Sequence, residues 1–195
     1  MKLAQIALVT GLLFGSVAFS APISYFAILN GPSEFPPNAS PGTGFATVTI
    51  DQVVNTMLVD VTFAGLAGTT TASHIHCCTA VPDTGTSGVA TTTPTFTGFP
   101  SGVTSGSYSH TFDMTLTTSY NPAFVTAEGG TAAGAEAALF AGIASGQAYL
   151  NIHSTVVPGG EIRGFLEPTA PEPSTLLLAG AALASLALLR RRRQV

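Results

Sequence analysis

Val53-Val54-Asn55-Thr56-Met57-Leu58-Val59-Asp60-Val61-Thr62-Phe63 is the stretch that decides the fold. Met57, Val59, Val61 and Phe63 fall on one side of an extended chain and Leu58, Asp60 and Thr62 on the other. That alternation marks a half-buried β-strand. Asp51-Gln52 before it reads as a hairpin turn, and Phe45 to Ile50 alternates as the preceding strand. Further out, Ile23 to Leu29 reads as a strand closed by Asn30-Gly31-Pro32. Gly31 to Gly42, with four prolines, reads as a loop. Downstream, Ser73 to Cys77, Tyr108 to Leu116, Gln147 to His153 and Glu161 to Leu166 read as strands. The threonines of Val89 to Phe96 favour extended backbone. Ala132 to Ser145 is the only helical window between the termini, with Ala135, Leu139 and Ile143 on one stripe and Gly146 at its end. Short strands, Gly/Pro turns and one short helix predict a mostly β chain, an antiparallel β-sandwich or barrel.

The two ends read as addresses. Lys2, the apolar run Ile6 to Phe19 and the small residues around Ala18-Phe19-Ser20 predict a signal peptide over residues 1–20, with signal peptidase as its processing partner. At the other end stand Pro171-Glu172-Pro173, an uncharged run from Ser174 to Leu189, and Arg190-Arg191-Arg192-Arg193. Sixteen residues make a helix of roughly 24 Å, slightly short of a bilayer core. The arginines reach toward headgroups and mark the cytoplasmic side. This predicts a transmembrane helix over 174–189 in the inner membrane within a tail of residues 169–195, and a single exported domain over 21–168. The tail resembles the PEP-CTERM sorting signal. The resemblance implies recognition by an exosortase and delivery to the envelope, cell surface or extracellular space after a transient membrane stage.

Composition narrows the function of the exported part. Between Ala21 and Glu172 the sole cation is Arg163, against ten carboxylates, a formal charge of −9. Such a surface repels phosphate backbones and excludes nucleic acid as a partner. The absence of lysine there removes Schiff-base and P-loop chemistry. No Gly-x-Ser-x-Gly elbow is present, so no catalytic residues are assigned and a non-enzymatic role is expected. Arg163 is expected to neutralise a carboxylate, with Glu161, Asp60 and Glu128 as candidates. Asn30 and Asn151 read as backbone features.

Two motifs carry chemistry: Ser73-His74-Ile75-His76 followed by Gly88-Val89, and Ala148-Tyr149-Leu150-Asn151-Ile152-His153 followed by Pro158-Gly159-Gly160-Glu161-Ile162-Arg163-Gly164. Their arrangement resembles the CHRD domain over roughly Ile23 to Leu166. Cys77-Cys78 departs from the more usual Gly-Pro. The resemblance implies a β-rich sandwich but no biochemical activity; with the export signals, the expected role is an exported structural, adhesive or binding module.

Residues two apart on a strand share a face, so His74 pairs with His76 and Asn151 with His153. If the strands are neighbours, His74, His76 and His153 form a Zn or Cu ligand set. Cys78 and His110 are weaker additions, and copper would make the centre redox-active. Structural hydrogen bonding from the imidazoles is the leading reading, and the metal set is the alternative. Nitrogens about 3–4 Å apart suit a shared ion, and separations beyond about 8 Å do not. For the cysteines, a Cys77–Cys78 disulfide, metal ligation through Cys78, and intermolecular bridging or free thiols stay open. A trans peptide separates adjacent Cα atoms by about 3.8 Å, less than the roughly 4.4 Å at which ordinary disulfides begin.

Overall fold

The computed structural model describes residues 21–169 and the pair 182–183. The expected signal peptide, the sorting motif Pro171, Glu172, Pro173 with Arg190, Arg191, Arg192 and Arg193, and nearly all of the expected membrane helix lie outside the described residues. Among those residues no helix is long and apolar enough to cross a membrane.

The strands are β1 (Ile23–Asn30), β2 (Thr43–Asp51), β3 (Thr56–Ala64), β4 (Thr70–His76), β5 (Gly106–Asp113), β6 (Tyr149–Ser154), β7 (Ile162–Phe165) and β8 (Glu167–Pro168). They form one sheet in the order β4-β6-β7-β1-β2-β3-β5, with β8 on β1. The strand pairs are all antiparallel. Of the expected antiparallel sandwich or barrel, the chain takes the second course in part, as one sheet curled into a half-barrel. Alternation still sets the register: Ala46, Val48 and Ile50 of β2 stand opposite Val61, Val59 and Met57 of β3, all six buried, while Thr47 meets Asp60 on the other face. β3 starts at Thr56 rather than Val53, because Asp51 Oδ1 accepts the N–H groups of Val53 and Val54 and Asn55 takes φ +54°. An Asx turn therefore replaces the first residues of the expected strand.

Two edges remain, β4 and β5. The segment Val89 to Phe96, whose threonines favour extended backbone, lies along β4 with only isolated bridges at Val89 and Thr91. Threonine hydroxyls take the place of a ladder: Thr91 Oγ1 accepts Ile75 N–H at 3.0 Å and Thr95 Oγ1 accepts Ser73 N–H at 2.9 Å. Backbone bonds from Ala90 to Ile75 and from Phe96 to Ser73 complete the cover. Phe96 then packs on Tyr108 and Phe112 of β5, closing the barrel gap with side chains.

Among described residues 21–169 two α-helices occur where one was expected. α1 (Pro122–Ala127) is capped by Asn121, whose side chain accepts Ala123 N–H, and opens with proline. Its six residues are too few to show a stripe in the sequence. α2 (Ala132–Ala144) is capped by Thr131 and buries Ala135, Leu139, Phe140 and Ile143. Both helices pack on the concave core, which Ile75, Leu150, Ile152 and Ile162 also enter. The opposite faces of β4, β6 and β7 carry the polar residues.

Candidate metal centre

Strands β4 and β6 pair with Ala72 opposite His153, His74 opposite Asn151 and His76 opposite Tyr149. With Ile75, Leu150 and Ile152 turned into the core, the three histidines share the outer face. Their ligand nitrogens lie within 4.8 Å of one another. Zinc-bound imidazole nitrogens stand roughly 3.3 Å apart, so inward ring movements of under about 1 Å would close the set.

One nitrogen of each ring is tied to a loop carbonyl. His74 Nε2 bonds Pro94 O at 2.6 Å, His76 Nδ1 bonds Ser87 O at 2.9 Å, and His153 Nδ1 bonds Pro158 O at 2.9 Å. A carbonyl accepts only, so each of these nitrogens carries the proton. The other nitrogens, His74 Nδ1, His76 Nε2 and His153 Nε2, are buried and have no partner among the described residues. Backbone carbonyls fix imidazole tautomers in the same way around metals. Burial lowers the pKa of all three rings, that of His76 to about 4. At neutral pH the free nitrogens therefore present lone pairs.

Next to the histidines lies a second buried group. Asn151 also stands opposite Arg163 of β7, and its Nδ2 donates to Glu34 Oε2 at 3.4 Å. Arg163 pairs with Glu34 at 3.9 Å, not with Glu161, Asp60 or Glu128 as expected. Its Nε and Nη1 donate to the carbonyls of Ser33 and Gly85. Burial raises the Glu34 pKa to about 7, against the opposing pull of Arg163 and of bonds from Phe35 N–H and Asn151. The guanidinium lies over the Tyr149 ring at 4.6 Å, and that ring stacks parallel to His76 at 4.8 Å. Glu34 and Arg163 line a cleft of about 660 Å³ with Phe26, Phe35 and Phe165.

The remaining candidates fall elsewhere. His110 lies on the core-facing side of β5, between Tyr108 and Phe112. Cys77 and Cys78 are joined to each other across a cis peptide, with Cα atoms 3.0 Å apart, where the sequence reading took the bond as trans. Their sulfurs lie against Gly142 of α2, and Cys78 Sγ faces Ala138 O, away from the histidines. Asn151, read as a backbone feature, is a buried side chain of the polar face. Its spacing from Tyr149 and His153 was a readable signal, whereas Glu34 had none within its proline-rich loop.

The CHRD domain model matches residues 25–166. The chain belongs to the CHRD domain family. The PEP-CTERM protein-sorting motif matches residues 169–193, directly after the CHRD domain. This signal indicates export to the cell surface or envelope through a membrane-anchored precursor that an exosortase processes. Neither a curated protein nor a solved structure matches the chain.

Proposed function

We propose that the mature CHRD domain is a non-enzymatic module of the cell surface or extracellular matrix that holds one zinc or copper ion on His74, His76 and His153. The observation that carries this reading is three clustered imidazoles with ligand atoms within 4.8 Å of one another, each with one buried nitrogen unpartnered among the described residues and the other tied to a backbone carbonyl. Orphaned buried nitrogens cost about 1–3 kcal/mol each, and a shared cation would satisfy all three. Bound metal would fasten β4, β6 and the loops carrying Pro94, Ser87 and Pro158, which suits a structural or adhesive role outside the cell. Zinc would supply only this fastening; copper would add a redox couple. In this reading signal peptidase removes residues 1–20, residues 21–168 form the module, and residues 169–195, with the helix 174–189, are the sorting tail.

The test is metal analysis of purified, dialysed protein together with thermal melts. Zn or Cu at one hundred times Kd should stabilise the wild type by about 2.7 kcal/mol. His74→Ala, His76→Ala and His153→Ala should each abolish the shift, while His110→Ala keeps it. A wild-type melt indifferent to both metals rejects the reading.

A further inference from the structure

Among the described residues six buried side-chain atoms lack a hydrogen-bond partner: the three free imidazole nitrogens, Ser87 Oγ, Asn151 Oδ1 and Glu34 Oε1. All six lie on the outer face of β4, β6 and β7 or on the loops above it. The last two meet at Gly160, where a Cβ would sit 2.8 Å from Asn151 Oδ1 and 2.9 Å from Glu34 Oε1. Asn151 stands between His74 on β4 and Arg163 on β7. It is therefore the cross-strand neighbour of both His74 and Arg163, and its side chain donates to Glu34.

Three neutral imidazoles around a doubly charged ion leave two positive charges uncompensated in a buried site, and Arg163 beyond Tyr149 adds a third. The cost of burying charge rises with its square, so a dication suffers far more than a monocation. A buried carboxylate on the protein can offset this. Glu161 is occupied by Ser40 Oγ and the N–H groups of Ala67 and Gly68, which leaves Glu34.

Resting on the three-histidine reading, we propose that Glu34 is the specificity-determining counter-charge of the centre: through Asn151 it allows the histidines to hold a dication such as Zn(II), and it releases its proton when that ion binds. The carboxylic acid becomes a carboxylate, and the proton leaves through the cleft that Glu34 lines. Arg163 on β7, Asn151 on β6 and the Phe35 N–H are the groups that act on Glu34. Asp83 and Glu167 line the same cleft, and the three histidines stand beyond Asn151. A carboxyl whose pKa is near 7 carries a proton to give, whereas burial already favours the neutral form of the histidines.

The experiment is titration calorimetry of the full-length protein at pH 6.5 with Zn(II), in two buffers of different ionisation enthalpy. It is paired with a competition for Cu(I) against a cuprous chelator. The wild type should release about one more proton per Zn(II) than Glu34→Gln. The variant should bind Zn(II) at least tenfold more weakly and keep its Cu(I) affinity within threefold. Equal proton release, or an equal loss for both metals as a merely structural role would give, overturns the proposal. If Glu34→Gln does not fold, infrared spectra of the wild type decide: the carbonyl stretch of a buried carboxylic acid must vanish on Zn(II) binding, and its persistence overturns the proposal. Failure of the wild type to bind either ion would remove the histidine reading itself, and this proposal with it.

Discussion

Replacing Glu34 by Gln should steepen the acid sensitivity of the metal-free protein. Burial moves the Glu34 pKa from 4.5 to about 7, so the folded state binds this proton more tightly than the unfolded chain does. Glu34 therefore favours folding at low pH, and that contribution is lost as pH rises through about 7. At about 1.4 kcal/mol per tenfold change in proton affinity, this difference amounts to about 3 kcal/mol. His76 works in the opposite sense. Its pKa falls from 6.5 to about 4, so its stabilisation is complete above the unfolded value and is lost as pH drops toward 4. His74 and His153 shift in the same direction. In the wild type Glu34 thus offsets about one histidine. Gln does not titrate and leaves the histidines unopposed. Urea melts followed by far-UV circular dichroism, with a chelator present, should show that Glu34→Gln loses about 3 kcal/mol more than wild type between pH 7 and 4.5. Parallel pH profiles for the two proteins would refute the assignment of a buried, protonated Glu34.

Gly142→Ala should destabilise the fold by about 1–3 kcal/mol in denaturant melts, because the new methyl would strike both sulfurs of Cys77 and Cys78. Thr91→Val should cost about 1–3 kcal/mol in the same assay, since it strips the buried Ile75 N–H of its acceptor. Glu161→Gln should cost about 2 kcal/mol at pH 7 by weakening three charge-assisted bonds. Burial alone would raise the Glu161 pKa, but its hydrogen bonds hold it below the ordinary value. Its contribution should therefore fade as pH falls through the carboxylate range, and the variant and wild type should converge in acid.

Period-two alternation was enough to place β2, β3 and the shared faces of His74 with His76 and of Asn151 with His153. What alternation could not supply was pairing. His76 and Tyr149 are far apart in sequence, and only the assembled sheet sets Ala72 opposite His153 and so brings the third imidazole to the other two. The choice between sandwich and barrel was illegible for a related reason: the gap of the curled sheet is closed by threonine hydroxyls and Phe96, which carry no periodic signal. α1 is one and a half turns long, and its Asn-Pro start was the only cue. Glu34 was missed because a carboxylate in a polar loop ordinarily faces water, and nothing local reveals that Arg163 and Asn151 lie beneath it. His110 shows the converse limit, since a histidine alternating with aromatic residues belongs to the core side of its strand.

X-ray absorption at the zinc edge, on protein loaded with one equivalent of Zn(II), tests the central claim most directly. Three imidazole nitrogens at about 2.0 Å are expected, reduced to two in His153→Ala. A coordination shell of oxygen alone, or one that the His153 substitution leaves unchanged, would contradict it.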